Sequence, residues 1–67
     1  MNITDYHEAL LMGLKLHNFQ YLTKRELLML ARDAADAAVY LYDIAPHWRD
    51  ECVKTGELAK QVIASLR

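Results

Sequence analysis

Sixty-seven residues make one domain. A chain this short buries too little apolar surface to be stable without a disulfide, a metal, self-association or tight helix packing. Cys52 is the only cysteine, which excludes an intrachain disulfide and a cysteine-rich zinc site, and a net charge of −1 with no basic run excludes the footprint of a general nucleic-acid binder.

That leaves packing and self-association, and a hydrophobic content of 54% points to a second copy covering apolar surface. The apolar run Ala9-Leu10-Leu11-Met12-Gly13-Leu14 is too short to span a bilayer. Asp5 and Glu8 precede it instead of a positive segment, so it does not read as a signal peptide. The expected setting is the reducing cytoplasm. No alternating run of β-branched residues signals a strand, and helical spacing dominates.

The first helix is expected from about Asp5 to about His17, capped by Thr4, or by Asn2 if it starts earlier. Asp5 and Glu8 suit the positive end of its dipole. Tyr6, Leu10 and Leu14 form a stripe at i, i+4 spacing, while Leu11, Met12 and Leu16 point elsewhere. A helix apolar on several sides is unlike the surface helix of a monomer. In the connection that follows, Asn18 suits a left-handed helix end and Phe19 a core anchor.

The second helix carries the strongest local signal. Thr23-Lys24-Arg25-Glu26 is a capping box, and Leu22 and Leu27 occupy the staple positions around it. Pro46 disfavours helical geometry at Ala45, so the helix is expected over 24–44. Leu27, Leu28, Leu30, Ala31, Ala34, Ala35, Ala38, Leu41 and Tyr42 share an apolar arc of roughly 200°. Arg25, Arg32, Asp33, Asp36 and Asp43 mark the polar side. An arc so wide needs more than one partner helix.

The third helix is expected over 46–65, since proline is favoured at a first helical position. Trp48, Cys52, Ala59, Val62, Ile63 and Leu66 keep one phase through Gly56. This predicts a continuous helix with Gly56 as a close-packing point; a new helix capped by Thr55 is the alternative. Only Val53 falls out of phase. The fold class is therefore all-α: a three-helix antiparallel unit with a long central helix, packed as a helical-bundle homodimer. Core and dimer positions are Leu10, Leu14, Leu27, Ala31, Ala34, Ala38, Leu41, Trp48, Ala59 and Ile63.

Chemistry-bearing groups are sparse. His47, Asp50 and Glu51, with Asp43 upstream, have spacings a metal site uses, but first-turn carboxylates more simply complement a helix dipole. Asp33 and Asp36 are spaced like the magnesium-binding pairs of all-helical nucleotide pyrophosphohydrolases. Those enzymes need a second spaced pair, and Asp50 and Glu51 are adjacent. Cys52 sits on the apolar stripe, where a cysteine is mostly a small hydrophobe. No catalytic residue, cofactor or metal is therefore expected.

Met29 and Tyr40 lie in the polar arc of the second helix, where neither belongs. With Arg32 and Asp36 they form the expected partner-binding surface. A helix-turn-helix DNA reader is the alternative, but the turn before Thr23 is long and the helix after it is acidic.

The opening Met1-Asn2-Ile3-Thr4-Asp5-Tyr6-His7 and the stretch Asp33-Ala34-Ala35-Asp36-Ala37-Ala38 give the chain a character that resembles the small early-region open-reading-frame proteins of lambdoid phages, encoded between exo and xis. The resemblance covers the character of the whole chain and includes no diagnostic motif. It implies a non-enzymatic accessory protein that modulates host or phage development through protein contacts, and carries over no functional residues.

Overall fold

The computed structural model describes residues 2–17 and 21–66. Three α-helices make up the described chain, α1 (Ile3–Lys15), α2 (Lys24–Ile44) and α3 (Arg49–Ser65), with a 3-10 turn (Pro46–Trp48) between the last two. Asn18 and Phe19, expected to end the first helix and anchor the core, lie outside the described residues.

α1 starts two residues earlier than expected, because Asn2 is the cap. Its extended backbone turns the side chain so that Oδ1 accepts the Asp5 N–H at 2.9 Å. The helix also ends earlier, at Lys15. His17 folds back and donates a ring N–H from Nδ1 to the Leu14 carbonyl at 2.6 Å. This adds a side-chain donor to a last-turn carbonyl that lies beyond the helix's regular i, i+4 bonds.

α2 begins at the capping box. The Thr23 hydroxyl accepts the Glu26 N–H, and the Glu26 carboxylate accepts the Thr23 N–H, both at 3.1 Å. These bonds hold the Glu26 carboxyl below the ordinary glutamate range, the bond from the Thr23 backbone contributing most and the Thr23 hydroxyl next. Thr23→Ala is expected to cost roughly 1 kcal/mol in urea denaturation. Because the folded-state pKa of Glu26 is depressed, its stabilisation is present above about pH 4.3 and is lost as pH falls through the lower folded value. An NMR titration of the Glu26 carboxyl should show its midpoint rising in Thr23→Ala. An unchanged midpoint would mean that the box does not hold this charge.

The far end of α2 is tied to α3. Arg49 donates from Nε to the Tyr42 carbonyl at 3.3 Å, and its guanidinium lies 4.9 Å from the centre of the Tyr42 ring. A cation thereby meets the negative end of the α2 dipole, where α2 has no basic residue of its own. The start expected for the third helix at Pro46 shifts to Arg49. Trp48 N–H bonds back three residues to the Ala45 carbonyl at 2.9 Å, and Trp48 has φ −103° and ψ 5°, so this turn is 3-10 rather than α.

The core has two parts. Leu14, Ala31, Ala34, Ala59 and Val62 are buried together, with Leu10, Leu27, Leu30, Leu58 and Ile63 packed around them. Ala38, Leu41 and Cys52 form the second part, covered by Ile3, Ala45 and Trp48. All three helices contribute to each cluster. The alanines let α2 approach both neighbours closely; Ala31 and Ala34 are wholly buried.

Two sequence expectations are corrected by this packing. The buried face of α1 keeps Leu14, with Leu10 packed beside it, but turns away from Tyr6: Tyr6 is exposed, and Leu11, expected to point elsewhere, is buried with Leu14 and His7. Gly56 is indeed interior to a continuous α3, but it is not a close-packing point. A methyl added there meets no atom within 4 Å. The close approach is at Gly13, where an added Cβ would stand 3.3 Å from both Leu30 methyls. Gly56→Ala is therefore expected to stabilise the chain by about 1 kcal/mol through helix propensity alone. Denaturation of dilute protein checks this, and a loss of stability would show that Gly56 is needed for packing.

Candidate interaction surface

α2 contacts both other helices and still has apolar surface left over. Met29, Val39, Tyr40, Tyr42 and Ile44 are all more than two-fifths exposed on this one helix. Four of them fall into two regions; Ile44, at the end of the helix, belongs to neither.

The first region is a groove of about 310 Å³ between α2 and α3. Its small-residue floor includes Ala35, Ala38, Cys52, Gly56 and Ala59. Val39, Tyr42 and Asp43 from α2 and Val53, Lys60 and Ile63 from α3 complete the lining, and α1 contributes nothing. Val53, out of phase in the sequence, is half exposed here. Asp43 lies beyond the part of the groove where Ala38 and Leu41 pack on Cys52. Lys60 lies at the part where Ala34 packs with Ala59. The groove is thus apolar, with one acid and one base toward opposite ends.

The second region is the outward stripe of α2 formed by Met29, Arg32, Asp36 and Tyr40, the residues expected to bind a partner. All four are exposed. Their spacing of three, four and four residues keeps them on one side of the helix. Arg32 and Asp36 make no ion pair with each other; among the described residues the ion pair present is Lys54–Glu51, at 3.8 Å and exposed. Met29 also lines a shallow depression with Gly13, Leu22 and Leu30, rimmed by Glu26 and Asp33. The groove and the stripe are different surfaces: none of the four stripe residues lines the groove.

A buried polar pair escaped sequence reasoning. His7 and Thr55 are both wholly enclosed and bond at 2.8 Å between Nε2 and Oγ1. Thr55 spends its single hydroxyl proton on the Glu51 carbonyl at 2.9 Å. His7 must therefore donate, which fixes the Nε2–H tautomer and leaves the Nδ1 lone pair without a partner. The available signal was spacing. His7 lies four residues from Ile3 and Leu11, and Thr55 lies between Cys52 and Ala59 on the α3 stripe.

The remaining chemistry-bearing residues are not gathered. No group of three His, Cys, Asp or Glu residues among the described residues is placed to hold a metal. Asp33, Asp36, His47 and Asp50 are exposed. Cys52 is a buried free thiol whose pKa is pushed up by burial first and by the nearby Glu51 charge second, so it is a poor nucleophile. No described helix is long and apolar enough to cross a membrane. These features define an all-helical protein with two uncovered apolar surfaces. No family model, curated protein or solved structure matches the chain.

Proposed function

We propose that this is a small non-enzymatic regulatory or adaptor protein that acts through helix-mediated contacts, as a homodimer in the cytoplasm. The observation that carries the reading is the uncovered apolar surface of α2, on a helix whose other faces already build the core. Packing of Ala31 and Ala34 with Ala59 and Val62, and of Ala38 and Leu41 with Cys52, supports the antiparallel arrangement of α2 and α3. The resemblance to lambdoid early-region proteins supplies the setting: an accessory factor that meets a host or phage protein.

The proposed partner surface is the stripe through Met29, Arg32, Asp36 and Tyr40. Its occupant is an amphipathic protein segment with apolar side chains for Met29 and Tyr40 and charges opposite to Arg32 and Asp36. The test is affinity capture from the native cell with wild-type protein and with Tyr40→Ala and Met29→Glu variants. Loss of the same captured protein from both variants, with helicity retained, supports the surface. Capture that ignores both substitutions removes it. A gel shift with mixed DNA at low salt addresses the DNA-binding alternative, which requires binding that weakens steeply with salt.

A further inference from the structure

We infer that the groove between α2 and α3 is the self-association face, and that a second copy of the chain seals it by pairing each Asp43 with the partner copy's Lys60. This locates the dimerisation proposed above and rests on it.

Two observations select a second copy as the occupant. The first is charge. The groove carries one acid and one base at opposite ends of an apolar floor. A face of that kind is complementary to itself. A two-fold axis lying in the face, midway between Asp43 and Lys60, exchanges the two positions and sets each carboxylate against the other copy's ammonium. Within the chain neither charge is paired among the described residues. Asp43 also sits in the last turn of α2, where Arg49 bonds the Tyr42 carbonyl but makes no ion pair with the Asp43 carboxylate.

The second observation is Gly56. It weakens α3, and nothing beyond its own stretch of helix stands within 4 Å of where its Cβ would be. Its place on the groove floor leaves room for a side chain from outside, and the exposed walls Val39 and Val53 offer the apolar contact.

The test is sedimentation equilibrium of the full chain at micromolar concentration, with circular dichroism to confirm that each variant keeps its helices. Wild-type protein should be a dimer. Asp43→Lys and Lys60→Asp should each weaken the dimer about tenfold, because symmetry repeats every like-charge contact twice. The combined Asp43→Lys/Lys60→Asp variant should recover wild-type association, since both pairs are rebuilt with their signs exchanged. Val53→Glu should abolish the dimer by placing a charge on the apolar wall. A monomeric wild type, its groove left to a segment of another protein, overturns the inference together with the dimer reading. A wild-type dimer indifferent to the reversals and to Val53→Glu overturns only the location. Failure of the combined variant to recover overturns the pairing. Met29 and Tyr40 lie off the groove, so the partner-capture experiment stands or falls independently.

Discussion

Leu41→Ala is expected to remove a large share of the chain's stability. Leu41 is wholly buried, between the small Ala38 and Cys52 and under the covering Ile3, Ala45 and Trp48. Such a substitution loses the transfer energy of the removed carbons and leaves a cavity, costing about 2–5 kcal/mol. A domain of this length has a total stability of roughly 3–10 kcal/mol. The loss is a large fraction of that total. Leu14→Ala should cost a similar amount, since Leu14 is equally buried in the first core cluster. Urea denaturation followed by helical circular dichroism measures both. A Leu41→Ala protein as stable as wild type would show that the second core cluster contributes little.

The buried pair of His7 and Thr55 should respond asymmetrically to substitution. Thr55→Val keeps the shape of the side chain and removes both bonds of its hydroxyl. His7 would then hold an unpaired Nε2–H beside its already unpaired Nδ1, and such an orphaned donor costs about 1–3 kcal/mol. His7→Leu leaves Thr55 still donating to the Glu51 carbonyl, and it removes the buried atom that has no partner. It is therefore expected to be neutral or stabilising. In the double variant, the Thr55→Val penalty should shrink, because no histidine remains to be left unpaired. The coupling from the four denaturation curves checks the argument. Equal losses from the two single variants would mean that the bond between them, and not the orphaned atom, sets the energetics.

The elements were legible in the sequence where the determining interaction is local. The capping box closes within four residues, so Thr23 and Glu26 announced the start of α2 without reference to the rest of the chain. Pro46 marked the end of α2 for the same reason, through geometry imposed on its neighbour. The start of α1 was less clear because Asn2 and Thr4 are both competent caps; the structure uses Asn2. The 3-10 turn at Pro46–Trp48 was missed because proline at a first helical position does not distinguish the two kinds of helix.

The candidate interaction surface was legible in part. Met29 and Tyr40 stood out as apolar residues among charges, and both are exposed. The groove did not stand out. Its floor is alanine, glycine and cysteine, which a helical wheel reads as core. Val53 was the sole sign that a wall existed. His7 was passed over, and Thr55 was weighed only as a helix cap, because a reading built on apolar spacing has no place for a polar residue on the same stripe.

By itself the sequence determined the number of helices, the cap of α2 and the width of its apolar arc. Each follows from contacts within one or two turns, or from how many side chains of one kind share a face. Only the tertiary structure decided which part of that arc is covered and which is open. It paired His7 with Thr55 across 48 positions. It also assigned the close approach to Gly13 rather than Gly56. The physical reason is the same in each case: periodicity fixes the direction a side chain takes from its own helix, whereas burial depends on which other helix lies in that direction.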